Sequence, residues 1–187
     1  MKRIILIHGW GGFPEEAWFP WLKRELEKNK IQLIIPSMPH PDTPTIEEWV
    51  TKLAKLVGTP DKELILIGHS IGCQTILRYL QTQSQKIAGC VLVAPWFTLS
   101  NIETEAEEKI AEPWIKTPFD FQKIKRNAQK ITAIFSTNDE FVPLSNTDLF
   151  KKNLGAAIII EQNKGHFSQS DNLKTLPSAL NAVVSLL

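Results

Sequence analysis

Six short runs of isoleucine, leucine and valine, almost free of polar alternation, constrain this chain more than any other feature. They lie at residues 3–7, 31–35, 63–67, 89–93, 131–136 and 157–160. A strand with one wet face alternates apolar and polar side chains. A run that stays apolar belongs to a strand covered on both faces, as in a parallel sheet. Helical patterns fill the gaps. Residues 18–29 place Trp18, Trp21, Leu22 and Leu26 on one face, and residues 45–57 do the same with Ile46, Trp49, Val50, Leu53 and Leu56. Thr45, with Glu47 and Glu48 behind it, suits a capped helix start. Further helices are expected at 70–83, 121–129, 145–153 and 173–187. Strand and helix alternate throughout, which predicts a compact, doubly wound, mainly parallel six-stranded sheet flanked by helices.

The 187 residues suit a single α/β domain spanning 1–187. One connection, 95–119, is too long for this plan and reads as a small cap insertion rather than a full lid. Its acidic part, 103–109, is expected to be a solvated helix. The formal net charge is +1, from 21 basic and 20 acidic residues, and no block of Lys or Arg stands out. Nothing here calls for a nucleic acid or a membrane surface as partner. Cys73 and Cys90 are the two cysteines. One sits in a helical pattern and the other in a strand, so both read as buried free thiols of a reducing compartment. Met1-Lys2-Arg3 looks like the charged start of a signal peptide, but the apolar run after it stops at His8-Gly9. A signal needs about 7–15 apolar residues and a membrane span about 20. The expectation is a cytoplasmic protein.

The chemistry starts at Gly68-His69-Ser70-Ile71-Gly72. This G-x-S-x-G segment follows an apolar strand and opens a helical stretch, the context that a nucleophile elbow requires. Small flanking residues let the backbone reverse tightly, and helix N–H groups favour developing negative charge beside the serine. The bland alternative is a serine that caps the helix. A serine needs a base. His69 lies inside the elbow and should point away from the working face of Ser70. His8 should shape the loop after the first strand, and His40 has no evident partner. His166, in Gly165-His166-Phe167, follows the last strand and so lies at the same sheet edge as Ser70. Asp139 follows the fifth strand and is the acid expected to orient His166, with Glu140 its local rival and Asp120 and Asp171 weaker. The order Ser70, Asp139, His166 is the α/β-hydrolase order. His8-Gly9-Trp10-Gly11-Gly12 is expected to give a second oxyanion N–H, from Trp10, beside that of Ile71. It lacks the spacing of a phosphate cradle. Trp96, Phe97, Trp114, Phe141 and Phe167 are candidates for the substrate pocket, though each could equally fill the core.

With these pieces placed, the chain resembles the small serine hydrolases typified by retinoblastoma-binding protein nine and YdeN. The likeness rests on Gly68-His69-Ser70, the 18–26 helix, Pro113-Trp114 with Pro118-Phe119-Asp120, Ser136-Thr137-Asn138-Asp139 with Val142-Pro143, and Gly165-His166-Phe167. It implies a compact hydrolase fold, with Ser70, Asp139 and His166 at the triad positions. The expected activity is hydrolysis of a small ester, thioester or amide through an acyl-enzyme, carboxylesterase-like, with a small acyl compound as partner and no metal or organic cofactor. The alternative is a binding or interaction protein on a hydrolase scaffold.

Overall fold

The computed structural model describes residues 2–187. Met1, where the charged N-terminal segment begins, lies outside the described residues. Six strands form one parallel sheet: β1 (Arg3–Ile7), β2 (Leu33–Ile34), β3 (Leu64–His69), β4 (Gly89–Val93), β5 (Ile131–Ser136) and β6 (Ala157–Glu161). Their spatial order is β2-β1-β3-β4-β5-β6, and every neighbouring pair is parallel. The four inner strands β1, β3, β4 and β5 are buried almost throughout, as their unbroken apolar runs require. The edges depart from that pattern. β2 shrinks to two residues, and β6 leaves Ile160 49% exposed, as befits edge strands with a single neighbour each.

Seven helices cover the sheet: α1 (Phe19–Glu27), α2 (Ile46–Val57), α3 (Ile71–Thr82), α4 (Glu105–Lys116), α5 (Phe121–Asn127), α6 (Asn146–Leu154) and α7 (Pro177–Val184). Helix α1 packs with α7, while α2, α3, α5 and α6 contact one another in a chain of neighbours. Helix α2 starts where expected, with Thr45 Oγ1 accepting from the Glu48 N–H, and stops at Gly58, whose φ of 63° suits glycine. Helix α7 is shorter than the 173–187 pattern, because Pro177 sets its first turn and bars the preceding residue from helix.

The long connection holds α4, longer than the acidic stretch alone suggested. Thr104 and Glu107 close a capping box at its start. Its exposed face is charged, while Ala111 and Trp114 are buried. Trp114 anchors the helix: its Nε1–H donates to the Pro44 carbonyl at 3.1 Å, and the Trp114 carbonyl accepts from Arg78 Nη2 at 2.7 Å. The chain runs from β1 outward to β2 and returns to β3 on the other side of β1. This reversal opens a crevice at the carboxyl ends of β1 and β3, where ligands bind in doubly wound sheets.

Candidate active site

Ser70 sits at that crevice, between the end of β3 and the start of α3, with φ 50° and ψ −119°. A serine held at positive φ costs on the order of 1–3 kcal/mol, so its surroundings must enforce it. The Ser70 N–H donates to Val93 O at 2.9 Å, and the Cys73 N–H donates to Ser70 O at 2.9 Å. Two glycines make this packing possible. A Cβ on Gly68 would lie 2.7 Å from the Cys73 nitrogen, and one on Gly72 would lie 2.3 Å from the Ile7 carbonyl oxygen. Helix α3 therefore touches the backbone of β1 through Gly72. The Ser70 side chain caps nothing, which removes the bland reading of this turn.

His166 and Asp139 meet on two neighbouring loops. His166 Nδ1 lies 2.9 Å from Asp139 Oδ2 and 3.0 Å from Oδ1. The carboxylate is 1% exposed, and its Oδ1 also accepts the Phe141 and Val142 N–H groups, both at 3.0 Å. Glu140 offers only its backbone oxygen, to Asn101 Nδ2. Asp120 caps α5, and Asp171 accepts from Ser168, so neither reaches His166. The motif before Asp139 explains how the two loops stay together. Ser136 Oγ accepts the Lys164 N–H at 2.9 Å, Thr137 Oγ1 that of Asn163 at 3.1 Å, and Asn138 Oδ1 that of Gly165 at 2.8 Å. Three consecutive polar side chains of one loop thus clamp the loop that carries His166.

His69 does not point away, as its place in the elbow suggested. It ends a strand whose side chains alternate between faces, and its ring is packed at 5.2 Å from the His166 ring. Its Nε2–H donates to the His166 carbonyl at 2.7 Å. Burial pushes the His69 pKa down to about 3, so the ring stays neutral and holds the His166 backbone as a donor. His8 shapes the first loop: its Nε2 accepts the Met38 N–H at 3.1 Å, which leaves Nδ1–H to donate to Gly9 O at 2.8 Å. In the same loop the Gly11 and Gly12 N–H groups are taken by Pro41 O and Gly9 O. Among the described residues, the Trp10 and Ile71 backbone N–H groups have no acceptor. His40 lies exposed in the loop before α2, its Nε2 3.8 Å from Glu48 Oε1.

A cavity of about 300 Å³ joins these groups, lined by Trp10, Ser70, Ile71 and His166. Of the expected aromatic wall, Trp96 and Phe141 line it. Phe97, Trp114 and Phe167 do not. Phe97 stacks on Phe150 at 4.2 Å, Trp114 anchors α4, and Phe167 is fully buried with its carbonyl bonded to Trp18 Nε1. Trp114 and Phe167 belong to the buried core, and Phe97 packs against it, partly buried. Leu99, Ser100, Asn101, Ile102 and Glu107 add to the wall from the long connection, which is tied down by Ser100 N–H to Phe141 O at 2.9 Å. One lining residue gave no sign in the sequence. Glu16, which follows another glutamate in an apparent surface loop, is 9% exposed and lines the cavity.

This arrangement places a strained serine, a histidine–carboxylate pair and two free N–H groups around one cavity. The family model for serine hydrolases matches residues 4–185. The chain belongs to the serine hydrolase family. Among its relatives, this serine hydrolase is 30% identical to YdeN of Bacillus subtilis, over 98% of this chain and 95% of YdeN. It is 27% identical to the serine hydrolase RBBP9 of Rattus norvegicus, over 90% of this chain and 87% of the relative. The crystal structure of YdeN superposes with a TM-score of 0.91 and covers all of this chain and 98% of its own. Est1E of Butyrivibrio proteoclasticus, solved with ferulic acid bound, reaches 0.76 at 12% identity, covering 100% of this chain and 89% of Est1E, and shares the fold. Among the described residues, no helix of this hydrolase is long and apolar enough to cross a membrane.

Proposed function

We propose that this serine hydrolase cleaves a small ester, thioester or amide through an acyl-enzyme on Ser70. The observation that carries the reading is the paired carboxylate: Asp139 holds His166 Nδ1–H, which leaves Nε2 as the acceptor beside the cavity that Ser70 lines. Ser70 Oγ attacks the carbonyl carbon while its proton passes to His166 Nε2. The Trp10 and Ile71 N–H groups receive the oxyanion. When the tetrahedral adduct collapses, the leaving group departs with the proton from His166. Water then attacks the acyl-enzyme, gives its proton to the same nitrogen, and the acid leaves as Ser70 recovers its hydrogen. Among the described residues, the Ser70 hydroxyl has no hydrogen-bond partner. Such contacts commonly tighten only with substrate bound.

In this reading the chain is one domain, residues 95–119 form a small cap over the acyl site, and the free, buried Cys73 and Cys90 suit a reducing, cytoplasmic compartment. A binding-only role would be favoured by loss of one of the three residues, and all three are present. The test is covalent labelling with a fluorophosphonate, together with turnover of p-nitrophenyl butanoate. Both are expected in the wild type and absent in a folded Ser70→Ala protein. Labelling that persists in Ser70→Ala refutes the nucleophile.

A further inference from the structure

Glu16 presents a problem that the chain itself does not solve. It is nine-tenths buried, and its Oε2 is enclosed with no hydrogen-bond partner. Burying a carboxylate without a partner is expensive, so such groups are normally paired. Oε2 packs against the loop that carries Trp10: a Cβ on Gly12 would lie 2.5 Å from it. Glu16 shares the cavity with Ser70 and His166. The other charged wall residue is also acidic. Glu107 has its Oε2 committed to the Glu103 and Thr104 N–H groups and to the Thr104 hydroxyl, yet keeps its negative charge. Among the described residues, no lysine or arginine lines the cavity.

A buried carboxylate with no cationic partner, in an acidic cavity, calls for a cation from outside. Resting on the acyl-transfer reading above, we infer that Glu16 is the specificity-determining residue of this site and receives a protonated amine carried by a small acyl substrate. Burial pushes the Glu16 carboxyl up, while the backbone N–H groups of Phe13 and Gln169 and the nearby His166 ring pull it down. An ammonium group delivered from the cavity that Glu16 lines favours the charged form and gives the carboxylate a charge-assisted partner. An anionic acyl group meets Glu16 and Glu107 instead and is rejected.

The test compares three esters of similar size: p-nitrophenyl 3-aminopropanoate, p-nitrophenyl butanoate and mono-p-nitrophenyl succinate. The first two differ in an ammonium against a methyl group. The readout is the ratio of kcat/KM for aminopropanoate over butanoate, taken in the wild type and in Glu16→Gln, so that the intrinsic reactivity of each ester cancels. The ratio is expected to fall at least tenfold in Glu16→Gln and by less in Glu16→Asp, and the succinate ester should be the poorest of the three in the wild type. A ratio unchanged within twofold, or a wild-type preference for the succinate ester, overturns the inference. If Glu16→Gln does not fold, competition in the wild type decides: propylammonium should inhibit butanoate turnover at concentrations at least tenfold below those of propanol or propionate, and equal inhibition overturns the inference. Chemical-shift mapping of propylammonium binding to Ser70→Ala separates the two readings. Absence of Ser70-dependent turnover sinks acyl transfer, whereas absence of propylammonium binding at Glu16 sinks only the amine site.

Discussion

Asp139→Asn is the most demanding test of the proposed triad, because the surroundings of that carboxylate dictate how the amide must sit. Asp139 Oδ1 accepts two backbone N–H groups, from Phe141 and Val142, while Oδ2 faces His166 Nδ1. In the asparagine, the one remaining oxygen stays with the two backbone donors, and the amide nitrogen takes the place of Oδ2. It then points N–H at His166 Nδ1, which can accept only if its own proton has moved to Nε2. That tautomer has no free lone pair for the Ser70 proton. Turning the amide over restores the useful tautomer but aims an NH₂ at two backbone donors in a site 1% exposed. Two buried donors left unpaired cost roughly 2–6 kcal/mol in total. The active arrangement is therefore populated at about 1 part in 30 to 1 part in 10⁴. The loss of support for the imidazolium adds to this, so kcat/KM on p-nitrophenyl butanoate should fall toward the upper end, on the order of 10⁴, the size known for this substitution in a serine protease triad. Glu140→Gln should lose little, since only the backbone oxygen of Glu140 is engaged. The measurement is steady-state turnover with circular dichroism as the fold control. A folded Asp139→Asn protein that keeps more than a tenth of wild-type kcat/KM refutes the argument.

Three more outcomes are expected. Gly72→Ala forces a methyl to within 2.3 Å of the Ile7 carbonyl, a backbone atom that cannot step aside, and should cost about 3 kcal/mol in urea unfolding; a midpoint equal to wild type contradicts the packing of α3 on β1. His69 is neutral when folded, with its pKa near 3, against about 6.5 unfolded, so the unfolded chain binds the extra proton between those values and stability falls as pH drops below 6.5. From pH 7.5 to 5.0 that group alone should remove about 2 kcal/mol, and His69→Gln, which can still donate to the His166 carbonyl, should flatten the profile by that amount; an unchanged profile refutes the assignment. A cavity of about 300 Å³ walled by Trp96, Phe141 and Ile102 should favour p-nitrophenyl acetate and butanoate over palmitate, with no rate jump above the critical micelle concentration, and a clear preference for palmitate means a lipid groove exists.

The sheet was legible because burial on both faces leaves a composition signature. Each run of Ile, Leu and Val in β1, β3, β4 and β5 stands where the structure has an inner strand. The signature fades at the edge strand β2, where one neighbour is missing and the 31–35 run yields only Leu33–Ile34; β6 departs from its run by one residue and β3 runs on to His69. Helix α4 was legible in its acidic part, the solvated helix expected at 103–109, but not at its end. Its last turns are fixed by Trp114 reaching Pro44, seventy residues away in sequence. A contact of that kind has no local periodicity to announce it.

The same distinction separates the reacting groups from the pocket. Ser70, Asp139 and His166 each follow a strand, and a parallel sheet brings all its carboxyl ends to one edge, so knowing the strands was enough to bring the three together. Which way a side chain turns at that edge is decided by pairwise packing. Trp96 and Phe97 are adjacent, yet one faces the cavity while the other stacks on Phe150. Glu15 and Glu16 are adjacent too. Only Glu16 is drawn inward, beneath a loop whose Gly12 leaves space for its carboxylate. Chemistry in this fold is thus written into the ends of strands, where topology alone aligns it. The shape and charge of the cavity depend instead on which of two neighbouring residues the packing turns inward, and in this chain that choice has placed a carboxylate in the cavity that Ser70 lines.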